Sequence, residues 1–444
     1  MISFFKRSWL LLFCLPVFLY AQQYTLSHGK KYEKVKFKLV NNLILIPVDV
    51  NGAKLTFILD SGVSTPILFN ISDQDSIQIN DVSEVIIRGL GNGEPIEALK
   101  SSNNTFKIGN TRNNQQLLYV VMDRALNFSP RLGMVVHGII GYDLFRDFVV
   151  SINYTSKVIK LYDPKHYKPK NNKKTQTLPL HIESNKAYLE ANVVMDDRQN
   201  IPVKLLIDSG SSDALWLFQD EEKGLAIPLS HYEDFLGQGL SGSVYGKRTK
   251  IKGLLLGDFQ LNEAKTAFPD MEYFSGIFNL GDRNGSLGGE VLKRFTMVFN
   301  YGAKTISLRK NSLFDDPFNY NLSGIDLQHN GMRFISERIT DAKGVALEKG
   351  DSFGNVQILF EDKTRLSVVP EIIVSGIRVG SPGQEAGLRE GDIILAVNGK
   401  KIHNYELQQI LKMLNEKEGK KVKVHVGRLG TDVIVSYVLK KMFK

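Results

Sequence analysis

Two stretches, FILDSGVSTPILF (residues 57–69) and LLIDSGSSDALWLF (residues 205–218), decide how this chain reads. In each, three large apolar residues deliver an aspartate to a Ser-Gly turn, and a second apolar run follows. The turns are Asp60-Ser61-Gly62 and Asp208-Ser209-Gly210. Asp-Ser-Gly alone is ordinary turn chemistry. Two copies in matching surroundings point to a pair of carboxylates brought face to face.

The surroundings match downstream as well. IIGYDLFRDFVVSINYTSKVIKL (139–161) and SLGGEVLKRFTMVFNYGAKTISL (286–308) align without a gap. Asp60 precedes Gly141 by 81 residues and Asp208 precedes Gly288 by 80. Such an interval is the mark of an internal duplication. Around it lie short β-type runs separated by turn signals, among them VKFKLV, LILIPVDV, EVIIRGL and QLLYVVM. The polar, basic, proline-interrupted segment 164–177 reads as a linker. It divides a first lobe (22–163) from a second (178–310).

The residue inventory narrows the chemistry. The eight histidines are scattered, with no HExxH and no helical i, i+4 pair, so no metal site is expected. Ser61 and Ser209 sit symmetrically in both lobes, where a single nucleophilic serine would be expected in one. The one cysteine, Cys14, lies in the N-terminal apolar run, which removes thiol chemistry and disulfides from the rest of the chain. Two carboxylates fit the duplication. Held close, Asp60 and Asp208 cannot both ionise, so they share a proton near neutrality. The ionised one can take a proton from water while the other gives its proton to a carbonyl. Gly62 and Gly210 let the turns approach closely, and the Ser61 and Ser209 hydroxyls can reach across to the opposite backbone. Ser211 stands where the first copy has Val63. Its hydroxyl is expected to stabilise ionised Asp208, leaving the proton on Asp60.

These motifs resemble the lobes of retropepsin-type aspartic proteases, fused in one chain as in pepsin-like enzymes. The resemblance covers residues 35–310 and rests on apolar-apolar-Asp-Ser-Gly with a later apolar-apolar-Gly, here IIG (139–141) and SLG (286–288). It departs from the pattern at Ser286, where an apolar residue is usual. It implies a mainly β fold of two barrel-like lobes about a pseudo-twofold axis. It also implies a catalytic role for Asp60 and Asp208, a supporting one for Ser61 and Ser209, and no cofactor. Glycine-rich hairpins at 89–98 and 237–251 stand where such enzymes carry flaps, with Gly91, Gly93 and Tyr245 as candidate flap residues. Polypeptides with apolar side chains flanking the cut bond are the expected substrates.

Past residue 310 the repeat ends. GSPGQEAGLREGDIILAVNGKKI (380–402) resembles the bacterial PDZ domain, which places a PDZ module at 311–444 with an insertion at about 329–370. The resemblance assigns Leu322-Ser323-Gly324-Ile325 to a carboxylate-binding loop. It puts a peptide groove between the next strand and a helix from Glu406, with Leu407 selecting an apolar terminus. The alternative is a PDZ that packs on the protease and takes no peptide. For the whole chain, the alternative to an endopeptidase is a non-catalytic peptide-binding scaffold.

At the N-terminus, Lys6 and Arg7 precede an apolar run from Trp9 to Ala21, the pattern of a cleavable signal peptide over 1–21. The run is short for a membrane span. An exported protein follows, secreted or periplasmic, with a Gram-negative envelope favoured by the PDZ type. The net charge of +9 sits partly in solvated runs such as 165–174, and no basic, aromatic-interleaved stripe suggests nucleic acid.

Overall fold

A computed structural model describes residues 23–71, 77–123, 126–169, 172–195, 200–275, 280–340, 345–347, 357–359 and 362–441. The expected signal segment, 1–21, lies outside the described residues. Alternating burial along the strands makes the molecule mainly β.

Lobe 1 contains β1 (Tyr32–Lys36), β2 (Leu43–Val50), β3 (Ala53–Leu59), β4 (Val82–Ile87), β5 (Ile96–Ile108), β6 (Thr111–Val121), α1 (Ser129–Leu132), β7 (Gly138–Ile140), α2 (Tyr142–Asp147), β8 (Val149–Asn153) and β9 (Val158–Tyr162). Lobe 2 repeats the plan. Its elements are β10 (Thr175–Pro179), β11 (Lys186–Val194), β12 (Asn200–Asp208), β13 (Leu215–Leu217), β14 (Tyr232–Gly239), β15 (Gly242–Leu256), β16 (Phe259–Pro269), β17 (Gly285–Gly288), α3 (Gly289–Leu292), β18 (Phe295–Asn300) and β19 (Thr305–Lys310). The last residues of the 164–177 linker already belong to β10, which pairs with β19 of lobe 2.

In both lobes the strand carrying the aspartate runs parallel to the strand carrying the apolar-Gly segment. Leu59 lies opposite Ile140, and Asp208 opposite Gly288. The lobes join through a six-stranded sheet in the order β10-β19-β18-β8-β9-β1. At its centre Ser151 pairs with Val298. The gap-free repeat offsets one copy from the other by 147 residues (139 to 286), and 151 plus 147 is 298. Equivalent residues therefore face each other at that pair, which marks the pseudo-twofold axis. Phe145, Phe299 and Tyr301 pack beneath it, with Phe145 stacked on Tyr301 at 5.4 Å, in one core cluster that spans both lobes.

The C-terminal module holds β20 (Ile325–Thr340), β21 (Asp362–Ile377), α4 (Pro382–Glu385), β22 (Ile393–Val397), α5 (Leu407–Leu414), β23 (Lys421–Arg428) and β24 (Thr431–Val438), with its own apolar core. The expected insertion is largely an extension of one hairpin: β20 and β21 stay paired from Ile325–Ile377 out to Thr340–Asp362. α5 is short, 8 residues. Glu406 and Gln409 close a capping box at its start, and it ends at Leu414 before Asn415. Among the described residues no helix is long and apolar enough to cross a membrane.

Candidate active site

The apolar residues ahead of each aspartate are buried strand residues, so each strand end is fixed and its carboxyl group emerges at the floor of the cleft between the lobes. The Asp60 amide donates to the Ile140 carbonyl at 2.8 Å, tying the first turn to the apolar-Gly strand behind it. The two turns then lock reciprocally. The Ser61 hydroxyl donates to the Ile207 carbonyl (2.6 Å) and accepts from the Ser209 amide (3.1 Å). The Ser209 hydroxyl donates to the Leu59 carbonyl (2.8 Å) and accepts from the Ser61 amide (3.0 Å). Both serines are fully buried, whereas the aspartates keep partial access to the cleft.

This lock sets the carboxyl groups within hydrogen-bonding reach of each other. At Gly210 a Cβ atom would come within 2.3 Å of the Asp60 carboxyl carbon, so the second turn admits only glycine. At Gly62 the opposite carboxyl carbon, that of Asp208, would lie 3.6 Å from a Cβ, so the first turn is less crowded; the Gly62 amide donates to Asp60 Oδ1 at 2.7 Å and the Gly210 amide to Asp208 Oδ1 at 3.1 Å. At Gly141 a Cβ would fall 1.8 Å from the Asp60 carbonyl oxygen, which explains the glycine after the apolar pair.

Electrostatics make the two carboxyl groups unequal. Burial, followed by repulsion from Asp208, pushes Asp60 up to about 7. Asp208 is also raised by burial. Arg283, the Gly210 amide, Lys186 and the Ser211 amide work against that rise. The expected role of the Ser211 hydroxyl is thereby corrected. Ser211 acts on Asp208 through its backbone N–H, and its Oγ lies toward Gly288, 3.1 Å from where a Cβ there would sit. The larger asymmetry comes from Arg283, which sequence reasoning missed. Ser286, the departure from the apolar-Gly pattern, has a structural reason here: its hydroxyl accepts from Arg283 Nη2.

The glycine-rich hairpins stand where the resemblance expects a roof over the dyad. Their tips meet one another: the Gly93 amide donates to the Ser241 carbonyl (2.7 Å) and the Ser241 amide to the Leu90 carbonyl (2.9 Å), while the Gly91 amide donates to the Tyr273 carbonyl (3.1 Å) in the turn after β16. Tyr245 belongs to the second hairpin but does not roof the dyad. Its ring is 47% exposed and packs beside Phe235 (5.6 Å) and Tyr273 (6.4 Å). Trp216 is core: it is buried and donates through Nε1 to Asp213 at 2.9 Å.

The C-terminal candidates are arranged differently from the expected open groove. Leu322, Ser323 and Gly324 form the loop before β20 and Ile325 opens that strand, but all four are buried. The Ser323 amide already donates to Asn415 Oδ1 (3.2 Å) and the Gly324 amide to Asn321 Oδ1 (2.9 Å). Leu407 is also buried, and the turn after α1 of lobe 1 sits on it. A Cβ at Gly133 would come 2.7 Å from Leu407 Cβ and 3.6 Å from His329 Nε2. The groove between β20 and α5 is thus covered by the protein's own first lobe. Another contact reaches the second hairpin. Arg378 lies over the Tyr232 ring (4.4 Å) and 3.9 Å from Asp234 of β14. Asp234 in turn pairs with Arg248 (2.6 Å), and Arg248 with Asp213 (2.7 Å) beyond the second Asp-Ser-Gly turn.

Comparison with known families agrees with this geometry. A family model described as aspartyl protease matches residues 46–144, which include Asp60 and the Gly141 strand, and one described as PDZ domain matches residues 373–428. The chain carries both modules.

Proposed function

We propose that this chain, with an aspartyl protease domain and a PDZ domain, is an endopeptidase that hydrolyses peptide bonds with water activated by Asp60 and Asp208. The observation that carries the reading is the reciprocal Ser61–Ser209 lock, which holds two carboxyl groups within hydrogen-bonding reach at the floor of the cleft between the lobes. A turn that served only structure needs no such pairing across an axis.

In the reaction, Asp60 holds the shared proton and Asp208 is the carboxylate. Asp208 takes a proton from a water lying between them as that water adds to the peptide carbonyl, and Asp60 protonates the carbonyl oxygen. The result is a neutral tetrahedral diol with no bond to the enzyme. In its collapse, Asp208 returns its proton to the leaving nitrogen and Asp60 recovers one from a diol hydroxyl, which restores the starting state. The hairpin tips must part to admit an extended chain and close behind it to keep bulk water out.

A PDZ domain is a peptide-binding module. Here the α1 turn covers its groove, and the Arg378–Asp234 contact touches the second hairpin. These contacts support a role in regulating access to the cleft: a peptide tail that displaces the α1 turn also disturbs the hairpin. We further propose that residues 1–21 direct export to a bacterial envelope or beyond it.

The test is digestion of an unfolded protein substrate across pH 3 to 8, with sequencing of the products. A bell-shaped rate profile with internal cleavage sites is the expected result. No cleavage at any pH would support the scaffold reading instead.

A further inference from the structure

Two cations, Lys186 and Arg283, stand beside the dyad. Lys186 opens β11. The last residues of β11 and β12 to pair are Tyr188 and Leu206, and Lys186 lies two residues beyond Tyr188, toward the Asp208 end of β12. The turn before it is tied to lobe 1, because the Ser64 hydroxyl donates to the Ser184 carbonyl at 3.2 Å.

Arg283 reaches this face from the other side. Its Nε donates to the Gly285 carbonyl (2.9 Å), its Nη2 to Ser286 Oγ, and its guanidinium lies 5.2 Å from the centre of the Phe218 ring. β17 places Ser286 in parallel register with Leu206, next to Asp208. Neighbouring Lys204 provides the contrast, because its Nζ bonds Glu183 (2.6 Å) and Asp282 (2.7 Å). Among the described residues, neither Lys186 nor Arg283 has a carboxylate at ion-pair distance.

Charge balance makes this unusual. The dyad with one shared proton carries one negative charge against two cations; Glu183 and Asp282 balance the neighbourhood overall, but both are exposed and bonded to Lys204, so within the cleft the two cations answer one negative charge. Burial first, and then Arg283, pull the Lys186 ammonium below its ordinary range, as fits a cation short of a counter-ion. A partly buried cation without an ion-pair partner carries a desolvation cost, and a ligand that supplies a carboxylate offsets it.

We infer that Lys186 and Arg283 form a substrate subsite on lobe 2 that takes a carboxylate. It is supplied by an Asp or Glu side chain close to the scissile bond, or by the chain terminus when the cut lies near the end. This inference rests on the peptidase reading. It replaces, on this side of the cleft, the expectation of apolar side chains flanking the cut.

The test compares peptides identical except for Glu or Gln at one position, from three residues before to three after the cut, each with a free or an amidated C-terminus. For the full-length protein, kcat/KM is expected to favour Glu about tenfold at one position, the effect of a single added ion pair worth about 1.4 kcal/mol. Lys204→Gln should keep the preference. Lys186→Met and Arg283→Met should lose it, read as the ratio of kcat/KM for the Glu and Gln peptides within each variant, whatever either substitution does to the overall rate. A preference that vanishes on amidation assigns the site to the terminal carboxylate. Equal kcat/KM for Glu and Gln at every position overturns the inference, and that comparison changes only the substrate, so it holds whatever the variants do to folding. If no peptide is cut, the same pairs are titrated onto the protein by fluorescence anisotropy. Tighter binding of a Glu peptide then supports the subsite and counts against the peptidase reading. Equal binding, or none, overturns both.

Discussion

Asp60 and Asp208 occupy equivalent positions in two copies of one lobe, yet their surroundings differ. Asp60 feels burial and Asp208, which both raise it, while Asp208 has Arg283 nearby. A cation favours the ionised form of a carboxyl group, so its removal raises the carboxyl pKa. Arg283→Met is therefore expected to shift the acid limb of the pH–rate profile to higher pH. Ser211→Ala should leave that limb in place, because Ser211 acts through its amide. The reverse pattern, measured as kcat/KM against pH, contradicts the assignment of the asymmetry to Arg283. The two aspartates are legible in the sequence because each is framed by the same local pattern. Lys186 and Arg283 are not. They lie 22 residues before Asp208 and 75 after it, among 56 lysines and arginines, and only strand register brings them to the site.

Among the elements, the paired turns depend on hydroxyls that are each both donor and acceptor across the axis. Ser209→Ala leaves the Leu59 carbonyl and the Ser61 amide buried without those partners. Each orphaned group costs about 1–3 kcal/mol, so urea denaturation should show a loss of roughly 2–6 kcal/mol. Ser209→Thr, which keeps the hydroxyl, should recover most of it. A loss under about 0.5 kcal/mol for the alanine variant would mean that water replaces the lock. Ser61 and Ser209 were readable from the turn motif, and so were the two glycine-rich hairpins. The direction of Tyr245 was not: along a hairpin strand successive side chains face opposite sides, and no local pattern says which side meets Phe235 and Tyr273.

For the molecule as a whole, the duplicated lobes were legible because the repeat is gap-free at the segments that build the shared sheet. How the C-terminal module docks was not, since Gly133, Leu407, Arg378 and Asp234 carry no mutual signal in the chain. That docking has a pH dependence. Asp326 is pushed up to about 6 by burial and then by Asp234, against the pull of Arg131, Arg378 and Arg248. A carboxyl group whose pKa is raised in the docked state favours docking when protonated. With an ordinary value near 3.8 when undocked, docking weakens as pH rises from about 4 to about 6 and levels off above that. Hydrogen exchange at residues 129–133 and 325–329 should therefore speed up over that interval relative to the lobe cores. Asp326→Asn should remove the dependence. Exchange with no such change would place the contact outside Asp326's control.

The central claim is that two carboxyl groups with one proton between them cut peptide bonds. Its most direct measurement is the rate at which the wild type, Asp60→Asn and Asp208→Asn degrade one unfolded protein substrate, with folding of each variant checked by circular dichroism. The wild type should cleave. Each variant should keep its fold and lose at least about a hundredfold in rate, the lower range for a lost general acid or base. Wild-type rates in either folded variant would contradict the claim, because a dyad cannot work with one of its carboxyl groups replaced by an amide.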